Sequence, residues 1–122
     1  MINIRHKGQE GEREFCRWLQ KTLELDFLPT RNLDQTRNGG ADILGIGQFV
    51  FEIKRCEALE QRQWWIQVVA SSTPSEMPVV AYRQNKRKWN FLISAKHIGL
   101  DKGFIHLQEL EFSNWIKGYF IK

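Results

Sequence analysis

The chain has few of the covalent or repetitive features that hold many small proteins together. It has two cysteines, Cys16 and Cys56, in 122 residues. They form neither a metal-ligand pair nor a CxxC redox motif, which excludes a disulfide-dense miniprotein. Two reduced thiols are the ordinary reading, and a single disulfide between them is the alternative. Three prolines and nine glycines, in no repeating pattern, exclude a collagen-like fibre. There is no internal repeat and no low-complexity tract. No apolar run approaches the ~18 residues of a membrane span, and Met1 to Gly8 lacks the apolar stretch of a signal peptide. The expectation is a soluble, cytoplasmic protein with no membrane partner.

What remains is enough for one ordinary core. Hydrophobic residues make up 42% and charged residues 26%, close to the globular average. Five Trp and eight Phe are a heavy aromatic load for this length. Eighteen Lys and Arg against fourteen Asp and Glu leave a net charge of +4, a modest bias toward polyanionic partners. The chain reads as a single domain over residues 1–122.

Lys7 to about Leu25 has helical spacing, with Phe15, Leu19 and Leu23 at four-residue steps. Asp26 to Gly40 reads as irregular, with room for a short strand at Phe27 to Thr30. Ala41–Ile46 and Gln48–Arg55 read as two strands joined at Gly45-Ile46-Gly47 in a hairpin. A helix is expected from about Leu59 to Ser72, with Leu59, Trp65, Ile66 and Val69 facing inward. That leaves Trp64 half-buried, or free to stack on a base or a partner subunit. Met77–Gln84 and Lys88–Ser94 form a second expected hairpin, turning at Asn85-Lys86-Arg87. Beyond residue 95, Phe104–Leu110 is a possible strand. Phe112, Trp115, Ile116, Tyr119 and Phe120 follow at helical spacing, a stripe that buries in the core or against a twin. His6, His97 and His106 match no ligand spacing.

The chemistry concentrates in the first hairpin. Strand side chains alternate faces. Phe49, Phe51 and Ile53 therefore share one face, and Val50, Glu52 and Lys54 the other. Asp42 can reach that second face from the neighbouring strand. Glu52 and Lys54 alone are also consistent with a solvated charge pair. Helix one shifts the balance. On a helical wheel Glu12 falls within about 60° of Phe15, Cys16, Leu19 and Leu23, whereas Glu10 and Glu14 fall on the opposite side. Glu12 is thus an inward acid, unless it serves only the helix N-terminus. Two like charges ~4 Å apart repel by about 4 kcal/mol at an effective dielectric of ~20. Lys54 offsets only one of three acids. A divalent cation would offset the rest, and oxygen ligands suit Mg²⁺ or Mn²⁺.

Asp42, nine intervening residues and then Glu52-Ile53-Lys54 resemble the D…ExK signature of the PD-(D/E)XK nuclease superfamily. Lys7-Gly8-Gln9-Glu10-Gly11-Glu12-Arg13 resembles the first helix of its Holliday-junction-resolvase-like members. Trp64-Trp65-Ile66-Gln67, with Pro78 to Arg83 and Trp89, resembles small phage-type nucleases of this group. The resemblance covers about residues 7–94, with Ala41 where the family has proline. The tail over residues 95–122 is expected to pack on the core or on a dimer partner.

The resemblance implies a restriction-endonuclease-like α/β fold, with a mixed central sheet flanked by helices. It implies a Mg²⁺-dependent DNA endonuclease, with Mn²⁺ able to substitute. Its action would be structure-selective, in recombination, repair or phage DNA processing in a bacterial or phage-infected cytoplasm. Glu12, Asp42, Glu52 and the Ile53 carbonyl would hold the metal, Lys54 would serve the attacking water, and Gln67, with Gln63 as substitute, would orient it. Lys7, Arg31, Arg37, Arg55, Arg83, Lys86, Arg87 and Lys88 are the candidate DNA contacts. Branched or junction DNA and a second copy of the chain are the expected partners. The alternatives are a non-catalytic DNA-binding module, or a nuclease subunit that needs a partner complex.

Overall fold

A computed structural model describes residues 4–31, 42–44, 46–55 and 57–120. The fold is organised by the alternation at Phe49–Arg55. This strand, β3, has two buried faces, so each side needs its own helical cover. Helix α1 (Ile4–Thr22) supplies one cover and α2 (Gln61–Ala70) the other. The other elements are β1 (Thr30–Arg31), β2 (Ile43–Leu44), β4 (Met77–Arg83), β5 (Asn90–Ser94), a 3₁₀ turn (Ala95–Ile98), β6 (Phe104–Gln108) and α3 (Glu109–Lys117).

The main sheet has the order β3-β4-β5-β6. Strands β3 and β4 are parallel, running from Phe49 opposite Met77 to Arg55 opposite Arg83. Helix α2 makes the crossover between them, as a parallel pair requires. The β4–β5 and β5–β6 pairs are antiparallel, so the sheet is mixed. Phe49, Phe51 and Ile53 bury on one face with Phe15, Leu19 and Cys16 of α1 and Phe112 and Ile116 of α3. Val50 buries on the other face with Trp64, Trp65 and Val68 of α2, and with Val80, Tyr82 and Leu92. The α/β class and the helix-flanked mixed sheet are as expected.

Several local expectations need correction. The inward face of α2 is Trp64, Trp65 and Val68, whereas Leu59, Ile66 and Val69 are exposed. Five apolar residues crowd six consecutive positions of this helix, so periodicity alone cannot choose its face. The sheet chooses, because the surface of Val80, Tyr82 and Leu92 takes the two indoles, and Trp64 lies against the Tyr82 ring. Trp64 is therefore a core residue. The first hairpin is not a simple two-strand ladder either. Strand β2 pairs with β1, Thr30 opposite Leu44 and Arg31 opposite Ile43. Its link to β3 is a 2.8 Å hydrogen bond from the Asp42 N–H to the Phe51 carbonyl.

The second hairpin stands where expected, with its turn closed by the Arg87 N–H on the Gln84 carbonyl and Lys86 at φ 60°. Trp89 belongs to the core rather than the tip and packs edge-on against Phe15. The tail joins the same core. Phe112 stacks flat on Phe91 with centroids 3.7 Å apart, while Tyr119 and Phe120 stay exposed. Helix α3 starts where Gln108 and Glu111 form a reciprocal cap. Cys16 is a buried free thiol, and burial pushes its pKa up to about 11. Cys56 and the side chain of His6 lie outside the described residues. His97 rests on the Trp115 ring and His106 bonds Asn90. Among the described residues, no helix is long and apolar enough to cross a membrane.

Candidate active site

Among the described residues, the strand partner of β3 is β4, and its other edge faces the segment carrying Asp42. Asp42 clamps that edge twice. Its N–H donates to the Phe51 carbonyl at 2.8 Å, and its Oδ2 accepts the Ile53 N–H at 2.6 Å. Glu52 lies between the two clamped residues. Both acids are buried, with Asp42 6% and Glu52 8% exposed. Two carboxylates in one dry place cannot both ionise cheaply. Burial, first, and then the charge of Asp42 and a hydrogen bond with it push Glu52 up to about 8, against the pull of Lys54. Burial and mutual repulsion therefore favour a proton on the pair when no cation is bound, and such a proton belongs to the pair rather than to one residue.

Lys54 stands two residues beyond Glu52 on the same face and is half-buried. The Ile53 N–H points toward Asp42. In an extended strand the carbonyl of the same residue points to the same side, so the Ile53 carbonyl also lies on the acid edge. Glu12 comes from α1 with its side chain 18% exposed and accepts the Arg31 Nε at 2.9 Å. Burial raises its pKa, Arg31 opposes the shift and the Asp42 charge adds to it. Glu12 thus borders the pair while tied to Arg31. Among the described residues, no three His, Cys, Asp or Glu side chains close into one metal-holding group.

The expected helical glutamine is placed differently. Gln61, at the start of α2, donates to the Tyr82 hydroxyl at 2.7 Å, and Tyr82 is opposite Lys54 in the ladder. Gln67 is exposed and lies about 9 Å further along the helix axis. Gln63 is exposed as well. The glutamine that reaches the Lys54 row is therefore Gln61. A helix pinned by Trp64 and Trp65 turns Gln61 toward the sheet and Gln67 away.

The basic residues divide into two groups. Arg55 donates to Glu14 at 2.5 Å and to Asn85 at 3.0 Å. Arg83 donates to the other Glu14 oxygen at 2.7 Å and to the Arg87 carbonyl at 2.6 Å. Glu14, expected to face solvent, instead ties α1 to the ends of β3 and β4. Its partners lie 41 and 69 residues away, beyond the reach of a helical wheel. Lys86, Arg87 and Lys88 stay exposed at the hairpin tip. Arg37 and the side chain of Lys7 lie outside the described residues.

No family model matches the chain, and no curated protein matches it in sequence. Among solved structures, the fold is similar to that of Hjc from Archaeoglobus fulgidus, a Holliday junction resolvase from an archaeal hyperthermophile. The TM-score is 0.54 at 19% identity, over 89% of this chain and 99% of that one. At that identity the likeness is one of fold, and a fold by itself carries many activities. The chain has a resolvase-like α/β fold.

Proposed function

We propose that this chain is a Mg²⁺-dependent DNA endonuclease selective for branched DNA. The observation that carries the reading is the buried Asp42–Glu52 pair, with Asp42 fixed by the Ile53 N–H and Lys54 two residues beyond Glu52. Two buried carboxylates that repel one another are relieved by a cation between them, and all-oxygen donors suit Mg²⁺ or Mn²⁺. Asp42, Glu52 and the Ile53 carbonyl would hold that ion, with Glu12 as an outer acid. When bound, a divalent ion polarises a phosphodiester and lowers the pKa of an attacking water.

The chain's own groups account for the rest. Lys54 places a positive charge on the face of the acids, where it orients a water by hydrogen bonding and offsets charge growing on the phosphate oxygens. The Ile53 N–H on Oδ2 fixes the Asp42 carboxylate, so its orientation precedes substrate binding. Lys86, Arg87 and Lys88 hold backbone phosphates and carry no base specificity. Selectivity for junctions is supported by the fold shared with a protein known as a Holliday junction resolvase. Resolving such a junction needs two symmetric cuts, which a C2 dimer supplies.

The test is cleavage of labelled four-way junction, flap, duplex and single-stranded DNA in Mg²⁺, with EDTA and Asp42→Ala as controls. Paired nicks in the junction, lost in both controls, are expected. Cutting of every substrate alike would remove the junction preference. Tight junction binding with no cutting in Mg²⁺ or Mn²⁺ would make the chain a binding module.

A further inference from the structure

Arg13 and Arg17 are exposed on α1, four residues apart and hence on one flank of the helix. Together with Arg31 they line a cleft of about 420 Å³, whose remaining wall includes Leu28, Pro29 and Thr30. Among the described residues, none of the lining side chains is acidic. Three other clefts among the described residues mix their signs. The cleft beside the hairpin tip sets Glu109 among Lys86, Arg87 and Lys88. The one between α2 and the 3₁₀ turn balances Glu76 and Asp101 against Lys96 and Lys102. The one at the start of α2 pairs Glu60 with Arg62.

A guanidinium is a planar fork that matches phosphate oxygens bidentately and keeps its charge at every physiological pH. Arg13 and Arg17, with Arg31 tied to Glu12 at one end, make a positively lined track. One end of that track meets the acids. Arg31 holds Glu12 at 2.9 Å, and Glu12 feels the charges of both Arg13 and Asp42. Leu28, half exposed, gives the wall an apolar patch beside the cations, the surface a sugar-phosphate chain presents in alternation.

We infer that this arginine cleft carries the sugar-phosphate backbone of a DNA strand into the Asp42–Glu52 site, with Arg13 and Arg17 as its phosphate contacts. The inference rests on the nuclease reading above and adds a substrate path to it. Lys86, Arg87 and Lys88 line a different cleft, with Trp18 and Thr22 of α1, so the two arginines form a separate contact group.

The test is fluorescence-anisotropy binding of a labelled duplex and a four-way junction, with Ca²⁺ in place of Mg²⁺, as a function of salt. The proteins are wild type, R13Q/R17Q and a control, K96Q/K102Q, that loses the same charge at the far end of the sheet. Each phosphate contact contributes about 0.9 to the slope of log affinity against log salt. Losing two should flatten the slope by about 1.8 and weaken binding roughly 60-fold at 0.1 M salt relative to 1 M. The control should keep the wild-type slope. Wild-type slope and affinity in R13Q/R17Q, or an equal loss in the control, would overturn the cleft. If the slope falls as expected but the wild type cuts nothing in Mg²⁺, the nuclease reading fails and the cleft stands. If the wild type binds no DNA, both fail.

Discussion

Replacing Glu52 with glutamine should stabilise the metal-free protein while removing its function. Glu52 is buried beside Asp42, and its pKa rises from 4.5 to about 8. The sign follows from linkage. A carboxyl with a raised folded pKa holds more protons in the native state than in the unfolded one. The stability this carboxyl contributes is therefore full below about pH 4.5 and is lost as pH rises toward 8. At ~1.4 kcal/mol per pKa unit, the loss from pH 5 to 8.5 approaches about 4 kcal/mol. Glutamine has the same shape, does not titrate and offers Asp42 an amide N–H where the shared proton stood. The two proteins should melt at similar temperatures at pH 5. By pH 8.5 the variant should lead by roughly 15 °C for a domain of this size. Calorimetric melts of both proteins across that range, without divalent ions, give the difference directly. Taking the difference cancels His97, whose pKa is lowered by burial and whose effect on stability has the opposite sign. A gap that does not widen with pH, or a wild type more stable at pH 8.5, would refute the shared proton.

Three further outcomes follow from the same geometry. Lys54→Gln should lower turnover by 100-fold or more while calorimetric Mn²⁺ affinity stays within a few-fold; lost metal binding would make Lys54 a structural counter-charge instead. Gly11→Ala would put a Cβ 2.5 Å from Cγ of Arg55, whose guanidinium is anchored on Glu14 and Asn85. Overpacking of about 1–3 kcal/mol should exceed the ~1 kcal/mol gain in helix propensity, and urea unfolding should show a net loss. Phe112→Ala removes a fully buried ring stacked on Phe91 and should cost about 3–5 kcal/mol by the same assay. A cost under 1 kcal/mol would mean the tail does not belong to the core.

The parts of the fold legible in sequence were those with a short-range rule behind them. Phe49 to Lys54 alternates with period two, so both its apolar face and its Glu52–Lys54 face could be read directly. Glu12 stood out because one acid interrupted an apolar helical stripe. The second hairpin followed from its Asn-Lys-Arg turn between two apolar runs. What stayed hidden depends on partners distant in sequence. Glu14 looked solvent-facing because Arg55 and Arg83 come from other strands. The inward face of α2 was ambiguous because Trp64, Trp65, Ile66, Val68 and Val69 nearly encircle it, and only the sheet decides among them. Gln61 at the Lys54 row follows from that rotation, whereas the family resemblance pointed to Gln67. The arginine cleft needed Arg31 from β1 beside Arg13 and Arg17 of α1, a juxtaposition that spacing does not encode.

In the proposed site, a proton shared by Asp42 and Glu52 occupies the place of the cation until metal binds. The most direct test is calorimetric titration of the protein with Mn²⁺ at pH 7 in two buffers of different ionisation enthalpy. Binding should release about one proton per ion from the carboxylate pair, and both binding and release should vanish in Glu52→Gln. Mn²⁺ binding with no proton released, or binding that persists in Glu52→Gln, would contradict the assignment of Asp42 and Glu52 as the metal-holding pair.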